Sequence, residues 1–559
     1  MYRTGLIFLS LFLPTPGLPG EPPAVLFDWF EYAGGDPVFG QPIDESQYRN
    51  PVVAGFFPDP SITRRGTDYY MVHSSFAYTP GVPVLHSENL VDWHIIGHVL
   101  DRRSQVDMRG QGISRGIFAP TIRYHDRLFY VITTLIDRGG NFLVTAADPA
   151  GPWSDPVWLP EIDGIDPDLF FDDDGSVYIA HNGPPEGEPL YEGHRAIWLW
   201  QYDPDRGKVV ADSGRVIVNG GVDLAAEPVW IEAPHIFKVD DWYYLLCAEG
   251  GTGDNHSEVV FRTRDLDRPF VPFDGNPILT QRDLPPERAH PVTTAGHGDL
   301  VRTPAGDWWA VFLATRAYDQ RFYNSGRETF LLPVDWQDGW PMILPQGEPV
   351  PYVGKRPVPG ADQGAGQTLT GNFTWRDDFD AETLNRHWLA LRSFDRGWLA
   401  LQDGRLRLHA LRPGLDSLEQ PAYLGRRQQH LRYRASAALQ LPADPAVAAG
   451  IAAFQNETHH YFLGVRRRND GYEIFLEQAA GGVPRRIRTA QVDLAAGTAL
   501  VLGIEGDRGA IGFYYRHPAG TGSDPAWLAR DLDGRLLSTA IAGGFVGTTL
   551  GVHARWASD

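Results

Sequence analysis

Asp240-Asp-Trp-Tyr-Tyr244-Leu-Leu, a polar turn followed by an aromatic pair and apolar residues, is the stretch on which the fold prediction rests. A phrase of this kind is typical of a hairpin turn that enters a β-strand. It recurs, in the same or an equivalent form, as Gly66-Thr-Asp-Tyr-Tyr70, His125-Asp-Arg-Leu-Phe-Tyr130, Asp173-Asp-Gly-Ser-Val-Tyr178 and Ala305-Gly-Asp-Trp-Trp309. Successive end aromatics lie 48 to 66 residues apart, which leaves room for about four strands per repeat. We therefore predict an all-β chain whose first two thirds form a five-bladed β-propeller.

A second phrase precedes each turn by a nearly constant distance. It reads Pro60-Ser-Ile62, Pro120-Thr-Ile122, Pro167-Asp-Leu169, Pro234-His-Ile236 and Gly298-Asp-Leu300, and its aliphatic residue lies 8 or 9 positions before the end aromatic. Just ahead of these phrases stand Asp59, Phe118, Asp166, Glu232 and His297. The first strand of a propeller blade is the innermost one, so we expect these five side chains to project towards the axis and to share one pocket.

The five residues of this predicted ring indicate chemistry only when they are taken together. Asp before Pro is usually a turn residue, and a single His is usually structural. Three carboxylates in one pocket repel and desolvate each other, however, and that cost is retained mainly where their pKa values matter. Without a nucleophilic triad or cysteine chemistry, such carboxylates favour hydrolysis of glycosides. Phe118 and the nearby Phe76 offer flat apolar faces for a sugar ring, although both are equally consistent with ordinary core packing.

Composition excludes several other classes of function. The 559 residues carry a net charge of −21, which would repel nucleic acid. Cys247 is the only cysteine, so neither an intrachain disulfide nor a cysteine-based zinc cluster can form. Residues 1–23, with Arg3 before an apolar run and a Pro/Gly-rich stretch, are typical of a signal peptide or a disordered tail. We expect a secreted or periplasmic protein, or otherwise a cytoplasmic one, with no membrane partner.

The remaining third of the sequence indicates a second β domain. We assign residues 49–345 to the propeller, and residues 346–372, where Gly, Pro and Gln dominate, to a linker. Residues 373–559 contain alternating strand-like segments such as Gly404-Arg-Leu-Arg-Leu408, which favour a β-sandwich.

Several phrases closely resemble glycoside hydrolase family 43, and they occur in the family's order over residues 49–350. They are Phe57-Pro-Asp-Pro-Ser61, Gly164-Ile-Asp-Pro-Asp-Leu-Phe-Phe171, Glu232-Ala-Pro-His-Ile-Phe237, Ala248-Glu-Gly-Gly-Thr252, Gly296-His-Gly-Asp-Leu-Val301 and Gly326-Arg-Glu-Thr-Phe330. The second domain, including Gly544-Phe-Val-Gly547, resembles the concanavalin-like C-terminal domain of the family's xylosidases and arabinofuranosidases. In that branch a loop of the sandwich closes one side of the pocket.

The resemblance implies a five-bladed propeller enzyme that inverts configuration. It implies Asp59 as general base, Glu232 as general acid and Asp166 as the carboxylate that tunes the acid and orients substrate. His297 would help to hold a central water or a calcium ion, and Arg327 would bind sugar hydroxyls. No cofactor is required on this interpretation, with calcium possible at the propeller centre.

The expected substrate is an oligosaccharide from arabinoxylan, arabinan or xylan, cut at a terminal pentose. Phe118 stands where the xylosidase branch commonly has Trp, which favours α-L-arabinofuranosides over β-D-xylosides. A β-xylosidase proper and a non-catalytic carbohydrate-binding propeller remain alternatives. A retaining, fructan-type propeller enzyme is disfavoured, because its Asn-Asp-Pro-Asn, Arg-Asp-Pro and Glu-Cys phrases do not occur.

Overall fold

The computed structural model describes residues 23–358, 369–517 and 524–557, and nearly all of their regular structure is β, as predicted. Helical turns in these ranges are short, namely 3₁₀ turns at Pro37–Gly40, Leu224–Ala226 and Gly534–Leu537 and an α-helical turn at Thr539–Ala542. Among the described residues, no helix has the length and apolarity needed to cross a bilayer. The signal-like segment proposed from the sequence lies outside these ranges, apart from Pro23.

Five antiparallel sheets follow one another along the chain after two early strands, β1 (Ala24–Gly34) and β2 (Gln47–Arg49). The first sheet has β3 (Ser61–Arg65), β4 (Asp68–Val72), β6 (Gly81–Ser87) and β7 (His94–Leu100), with β5 (Tyr78–Thr79) outside it. The second has β8 (Thr121–His125), β9 (Leu128–Leu135), β10 (Gly140–Ala146) and β11 (Val157–Trp158). The third has β12 (Ile165–Phe171), β13 (Val177–Gly183), β14 (Ala196–Asp203), β15 (Lys208–Val209) and β16 (Arg215–Asn219).

The fourth and fifth sheets complete the series. The fourth has β17 (Glu232–Val239), β18 (Trp242–Glu249), β19 (Ser257–Thr263), β20 (Val271–Pro272) and β21 (Leu279–Thr280), and the fifth has β22 (Val292–Arg302), β23 (Trp308–Arg316), β24 (Glu328–Gln337) and β25 (Trp340–Met342). The first strands β3, β8, β12, β17 and β22 contact one another in sequence, and β22 returns to contact β3. The sheets therefore surround a common axis as the blades of a propeller.

The aromatic pairs of the repeat have a packing explanation. Successive residues of a strand point to opposite faces of the sheet, and each blade is covered on both faces by its neighbours. Tyr69 accordingly packs in a core with Trp309 of the fifth sheet, whereas Tyr70 packs in a different core with Phe129 of the second. Two adjacent apolar positions in one strand thus bury into two interfaces between blades.

The C-terminal region is a two-sheet sandwich, as predicted. Its strands are β27 (Phe373–Asp377), β29 (Leu399–Leu401), β30 (Leu406–His409), β31 (Ala422–Arg427), β32 (Arg432–Gln440), β33 (Val447–Asn456), β34 (His459–Arg468), β35 (Gly471–Ala480), β36 (Arg485–Val492), β37 (Ala499–Asp507), β38 (Ala510–Arg516), β39 (Ala526–Asp533) and β40 (Thr549–Trp556). The short strand β28 (Ala390–Leu391) pairs instead with β5 of the propeller. One sheet has the order β31-β40-β33-β34-β35-β36, and the other has β29-β30-β1-β32-β37-β38-β39 with β27 also paired to β1.

The N-terminal strand β1 is thus part of the sandwich, which the sequence analysis did not anticipate. It pairs with β27, β30 and β32, and its Phe27, Phe30 and Tyr32 lie in the sandwich core. The segment assigned as linker contains one short strand. Within residues 346–372, β26 (Val353–Lys355) pairs with β2, and Gly354 lets the Tyr48 ring lie against its backbone. The segment 359–368 lies outside the described residues.

The sandwich packs tightly on the propeller. Phe56, Phe76 and Tyr78 of the propeller share a core with Phe454 and Phe462 of the nearer sandwich sheet. Buried Arg316 of β23 pairs with Asp36 at 2.6 Å and with Glu328 at 2.7 Å, and it also donates to the backbone oxygen of Gln429. Apolar contact and a fully paired charge therefore join the two domains.

Candidate active site

All seven residues that the sequence analysis placed in the site line one pocket of about 820 Å³ on the propeller axis. They are Asp59, Phe76, Phe118, Asp166, Glu232, His297 and Arg327. The pocket also contains Phe545, which belongs to the sandwich. The catalytic candidates therefore converge as the repeat register predicted.

Local backbone irregularities turn the ring side chains towards the pocket. Asp59, Asp166 and His297 adopt positive φ values of 54°, 54° and 52°, and Ala233, next to Glu232, has φ 51°. The strand pairings of β12, β17 and β22 shift register at these points. Non-glycine residues hold such conformations, at a cost of about 1–3 kcal/mol each, only where their surroundings determine them.

Asp59 is held by charge-assisted contacts. Its Oδ1 accepts from Arg327 Nη1 at 2.7 Å, and its Oδ2 accepts from Ser74 Oγ at 2.5 Å. His297 Nδ1 lies 3.9 Å from the same Oδ1. The guanidinium and the hydroxyl together fix the position of this carboxyl group.

Glu232 and Asp166 have perturbed acidities. Burial raises the pKa of Glu232 to about 7, with a further contribution from the charge of Asp59, while Arg327 and Arg195 oppose the shift. Burial, and then the neighbouring Glu232 and Asp59, raise the pKa of Asp166 well above its usual value. Asp166 Oδ2 accepts from the backbone N–H of Ala233 at 3.3 Å. Of the neighbouring charges, the one that raises the pKa of Glu232 is that of Asp59.

His297 is neutral and supported by a second buried acid. Burial lowers the pKa of His297 to about 3, so the ring is uncharged at neutral pH. Behind it, Glu258 accepts from the backbone N–H of Gly298 at 2.9 Å. Burial raises the pKa of Glu258 well above its usual value.

A second layer of polar residues lies below the ring. Ser61, Asp168 and Asp299 of this layer stand two positions after Asp59, Asp166 and His297 in the chain. Arg123 joins this layer, with its guanidinium 2.6 Å from Asp168 Oδ1 and 2.8 Å from Asp299 Oδ2. Its Nη2 also lies 3.1 Å from His235. One cation thus links side chains from all five first strands.

The residues at the centre of the propeller do not fit a calcium ion. Calcium takes 6–8 oxygen ligands, roughly. Here the carboxylates of Asp168 and Asp299 are already paired with Arg123, and Asp59 is paired with Arg327. Within the described ranges, no group of three His, Cys, Asp or Glu side chains is arranged to hold a metal ion.

An aromatic wall bounds the pocket next to Asp59 and Arg327. Phe76 stacks on Phe545 at 5.9 Å, and Phe118 meets both rings edge-on at 5.5 and 5.8 Å. The sandwich loop that carries Phe545 is fixed because its backbone N–H donates to Ser114 Oγ at 3.0 Å. Gly547 and Gly326 approach so closely that a Cβ on either would overlap the other's backbone.

Some pocket residues were missed from the sequence. Trp230 and Arg195 line the pocket on the side of Glu232, and neither belongs to a repeat phrase. Thr252 lies within a phrase that was noted, and its hydroxyl is 3.3 Å from Arg327 Nη1. One sequence feature could have indicated the polar layer around Arg123. The central position of the second repeat phrase is polar, and in four of its copies it is Ser61, Asp168, His235 or Asp299.

Comparison with known proteins covers both domains. Residues 48–341 match the model for glycosyl hydrolases family 43, and residues 376–557 match that for the beta-xylosidase C-terminal concanavalin A-like domain. A xylosidase/arabinosidase of Butyrivibrio fibrisolvens is 37% identical over 90% of this chain and 95% of its own length. A non-reducing end alpha-L-arabinofuranosidase of Bacteroides ovatus is 34% identical over 91% of this chain and 92% of its own length.

The structural comparison agrees. The crystal structure of a GH43_12 protein retrieved from capybara gut metagenome superposes with a TM-score of 0.89 at 38% identity, covering 96% of this chain and all of that one. Fold, carboxylate pocket and relatives together define a glycoside hydrolase, which acts on O-glycosyl bonds of a carbohydrate. The chain belongs to glycoside hydrolase family 43.

Proposed function

We propose that this enzyme is an inverting exo-glycosidase that removes a terminal pentose from plant cell-wall oligosaccharides, with α-L-arabinofuranosides favoured over β-D-xylosides. The observation that carries the proposal is the compact wall of Phe76, Phe118 and Phe545 beside Asp59 and Arg327. A wall formed partly by the sandwich favours a chain end over a chain interior. The relatives' names, which include both xylosidase and arabinofuranosidase, support the substrate class.

In the proposed mechanism each carboxyl has one task. Glu232, with its pKa near neutrality, donates a proton to the glycosidic oxygen as the bond to the anomeric carbon breaks. Asp59 accepts a proton from the water that attacks the opposite face of the sugar. Asp166, whose oxygen is tied to the backbone beside Glu232, positions the acid and the substrate. Arg327 orients Asp59 and binds sugar hydroxyls.

Phe118 is expected to influence the choice of pentose. A xylopyranose presents a broad face that an indole covers well, whereas a furanose is smaller and more puckered. We expect Phe118→Trp to shift the ratio of kcat/KM on aryl β-D-xyloside to that on aryl α-L-arabinofuranoside towards xyloside, by up to about tenfold. The measurement is the pair of steady-state constants for wild type and variant.

The matched control for this substitution is Phe171→Trp. Phe171 lies at the end of β12 away from Asp166, and its ring stacks on His125. It should leave the ratio unchanged. A wild-type ratio that favours xyloside by tenfold or more would contradict the arabinofuranoside preference. A Phe118→Trp ratio equal to wild type would show that another residue selects the sugar.

We also propose that the enzyme works without calcium, because a guanidinium balances the carboxylates on the axis. Burial alone would lower the pKa of Arg123, but Asp168 and Asp299 outweigh it and the net shift is upward, so this residue stays charged. Dialysis against EDTA should leave both kcat/KM and Tm unchanged, and added calcium should restore nothing. A loss of either quantity that calcium reverses would refute this proposal.

A further inference from the structure

The direction of the chemistry defines where the leaving group lies. The acid must reach the glycosidic oxygen, so the departing part of the substrate lies on the side of Glu232, whereas the water lies with Asp59. A pocket of about 820 Å³ is of the size that encloses a whole drug-sized ligand. It therefore has room for more than the terminal pentose.

Trp230 occupies the leaving-group side. It lies two residues before Glu232, lines the pocket and keeps 39% of its surface exposed. Its backbone N–H donates to Gly193 O at 2.9 Å, and the neighbouring Val229 O accepts from Gly250 N at 2.8 Å. A positive φ of 54° holds the residue in a conformation that tryptophan seldom adopts. An exposed indole fixed in this way forms a rigid shelf rather than part of a core.

Arg195 lies over the same indole and is itself fixed. Its guanidinium carbon is 5.1 Å from the ring centroid, and its Nε and Nη2 both donate to Asn182 Oδ1 at 3.1 and 2.8 Å. The amide of Asn182 in turn donates to Ile231 O, at 2.5 Å, between Trp230 and Glu232. Arg195 Nη1 makes no hydrogen bond to any of the described residues, so it is available to a ligand.

We infer that Trp230 and Arg195 form the binding subsite for the leaving group, and that this group is a pyranose ring. An indole face suits the flat apolar face of a pyranose, and the free guanidinium N–H suits its hydroxyls. The inference rests on the proposed function and names its acceptor side, which is the pyranose unit that carries the terminal pentose. A furanose leaving group, as in arabinan, presents a smaller and more puckered face to the same shelf.

The first experiment compares two kinds of substrate in Trp230→Ala. The probes are arabinofuranosyl-substituted xylobiose, whose leaving group is a pyranose, and methyl α-L-arabinofuranoside, whose leaving group has no ring. If wild type prefers xylosides, xylotriose and methyl β-D-xyloside replace them. We expect kcat/KM to fall about tenfold or more on the oligosaccharide and less than twofold on the methyl glycoside. Nitrophenyl glycosides are avoided because the aryl ring would stack on the same shelf.

Controls separate binding from folding. The Ki of the free pentose, which reports only the terminal-sugar site, should be unchanged in Trp230→Ala. Trp29→Ala is the second control: Trp29 lies on the sandwich strand β1, and its indole also packs against an arginine, Arg376, at 4.3 Å. This variant should leave kcat/KM unchanged on both substrates. Equal losses on both substrates, or no loss on the oligosaccharide, would overturn the inference. Absence of wild-type activity on any pentoside would instead refute the proposed function.

Arg195→Met supplies an independent readout. The groups that act on Glu232 are Asp59, which raises its pKa, and Arg327 and Arg195, which lower it. Loss of Arg195 should therefore weaken activity on the oligosaccharide and also move the alkaline limb of kcat/KM to higher pH. Arg195→Lys keeps the charge but loses the planar arrangement of donors. It should return the alkaline limb to its wild-type pH, whereas kcat/KM on the oligosaccharide should stay below the wild-type value. An unshifted limb in Arg195→Met would contradict the placement of Arg195 beside the acid.

Discussion

Asp59→Asn is expected to lower kcat/KM by roughly 10²- to 10⁴-fold on all pentosides, whatever their leaving group. An amide cannot accept the proton of the attacking water, and this step is needed whether departure is easy or difficult. The substitution also leaves Arg327 without its carboxylate partner. Asp59 raises the pKa of Glu232 and Arg327 lowers it, so the residual activity should show its alkaline limb at lower pH than wild type.

The control for Asp59→Asn is Asp172→Asn, at the far end of the third blade, where the carboxylate pairs with Lys238. It should retain wild-type turnover and test the effect of losing a paired aspartate. Proton NMR of the first sugar released by wild type provides a separate check, because a base on the water side implies inverted configuration. A product that keeps the substrate's configuration, or an Asp59→Asn variant that remains active, would remove Asp59 from the base role.

The propeller could be predicted because the signals for its strands and turns lie within each repeat. Hairpin turns and aromatic pairs are local signals, and the constant spacing from the second phrase to the turn aligns the first strands. Strand β1 escaped prediction for the opposite reason. Its apolar positions Val25, Phe27, Phe30 and Tyr32 indicate a strand, but its partners in β30 and β32 lie 379 to 412 residues later in the chain. Local pattern alone does not specify such a distant pairing.

The site residues also differ in whether the repeats could predict them. The repeat register brought Asp59, Asp166, Glu232 and His297 together, because equivalent positions of equivalent strands meet at the axis. Trp230 and Arg195 lie on loops between strands, where no repeat sets their position, and they reach the pocket through backbone contacts with Gly193 and side-chain contacts with Asn182. Phe545 comes from the other domain. Its placement depends on the close approach of Gly547 and Gly326, which only the folded chain shows.

The pKa shifts of the buried carboxyls could be assigned only from the folded structure. The family resemblance implies that Asp166 tunes the acid Glu232. Burial raises the pKa of Asp166 as well, and the neighbouring charge that raises the pKa of Glu232 is that of Asp59. Desolvation depends on how much protein surrounds each carboxyl, and the order of residues in the chain does not determine that quantity.

Glu232→Gln is expected to separate substrates by the basicity of their leaving groups. A glutamine cannot donate the proton that a sugar oxygen needs to depart, whereas a nitrophenolate departs with little protonation. We expect kcat/KM on oligosaccharides to fall by roughly 10²- to 10⁴-fold, and that on nitrophenyl pentosides to fall far less. A general acid must be protonated and its pKa lies near 7, so wild-type kcat/KM on oligosaccharides should decline above about pH 7. The variant should lack this alkaline limb.

Glu258→Gln is the matched comparison, since Glu258 is another buried glutamate whose pKa burial raises, close to the same pocket behind His297. Glutamine keeps the size of the side chain and an oxygen that can accept from the backbone N–H of Gly298, so this variant should keep both the difference between the two substrate types and the alkaline limb of kcat/KM. Burial and a raised pKa are thus common to both glutamates, and only access to the glycosidic oxygen distinguishes them. Equal losses on oligosaccharide and nitrophenyl substrates in Glu232→Gln, or an alkaline limb that persists there and vanishes in Glu258→Gln, would move the acid role away from Glu232.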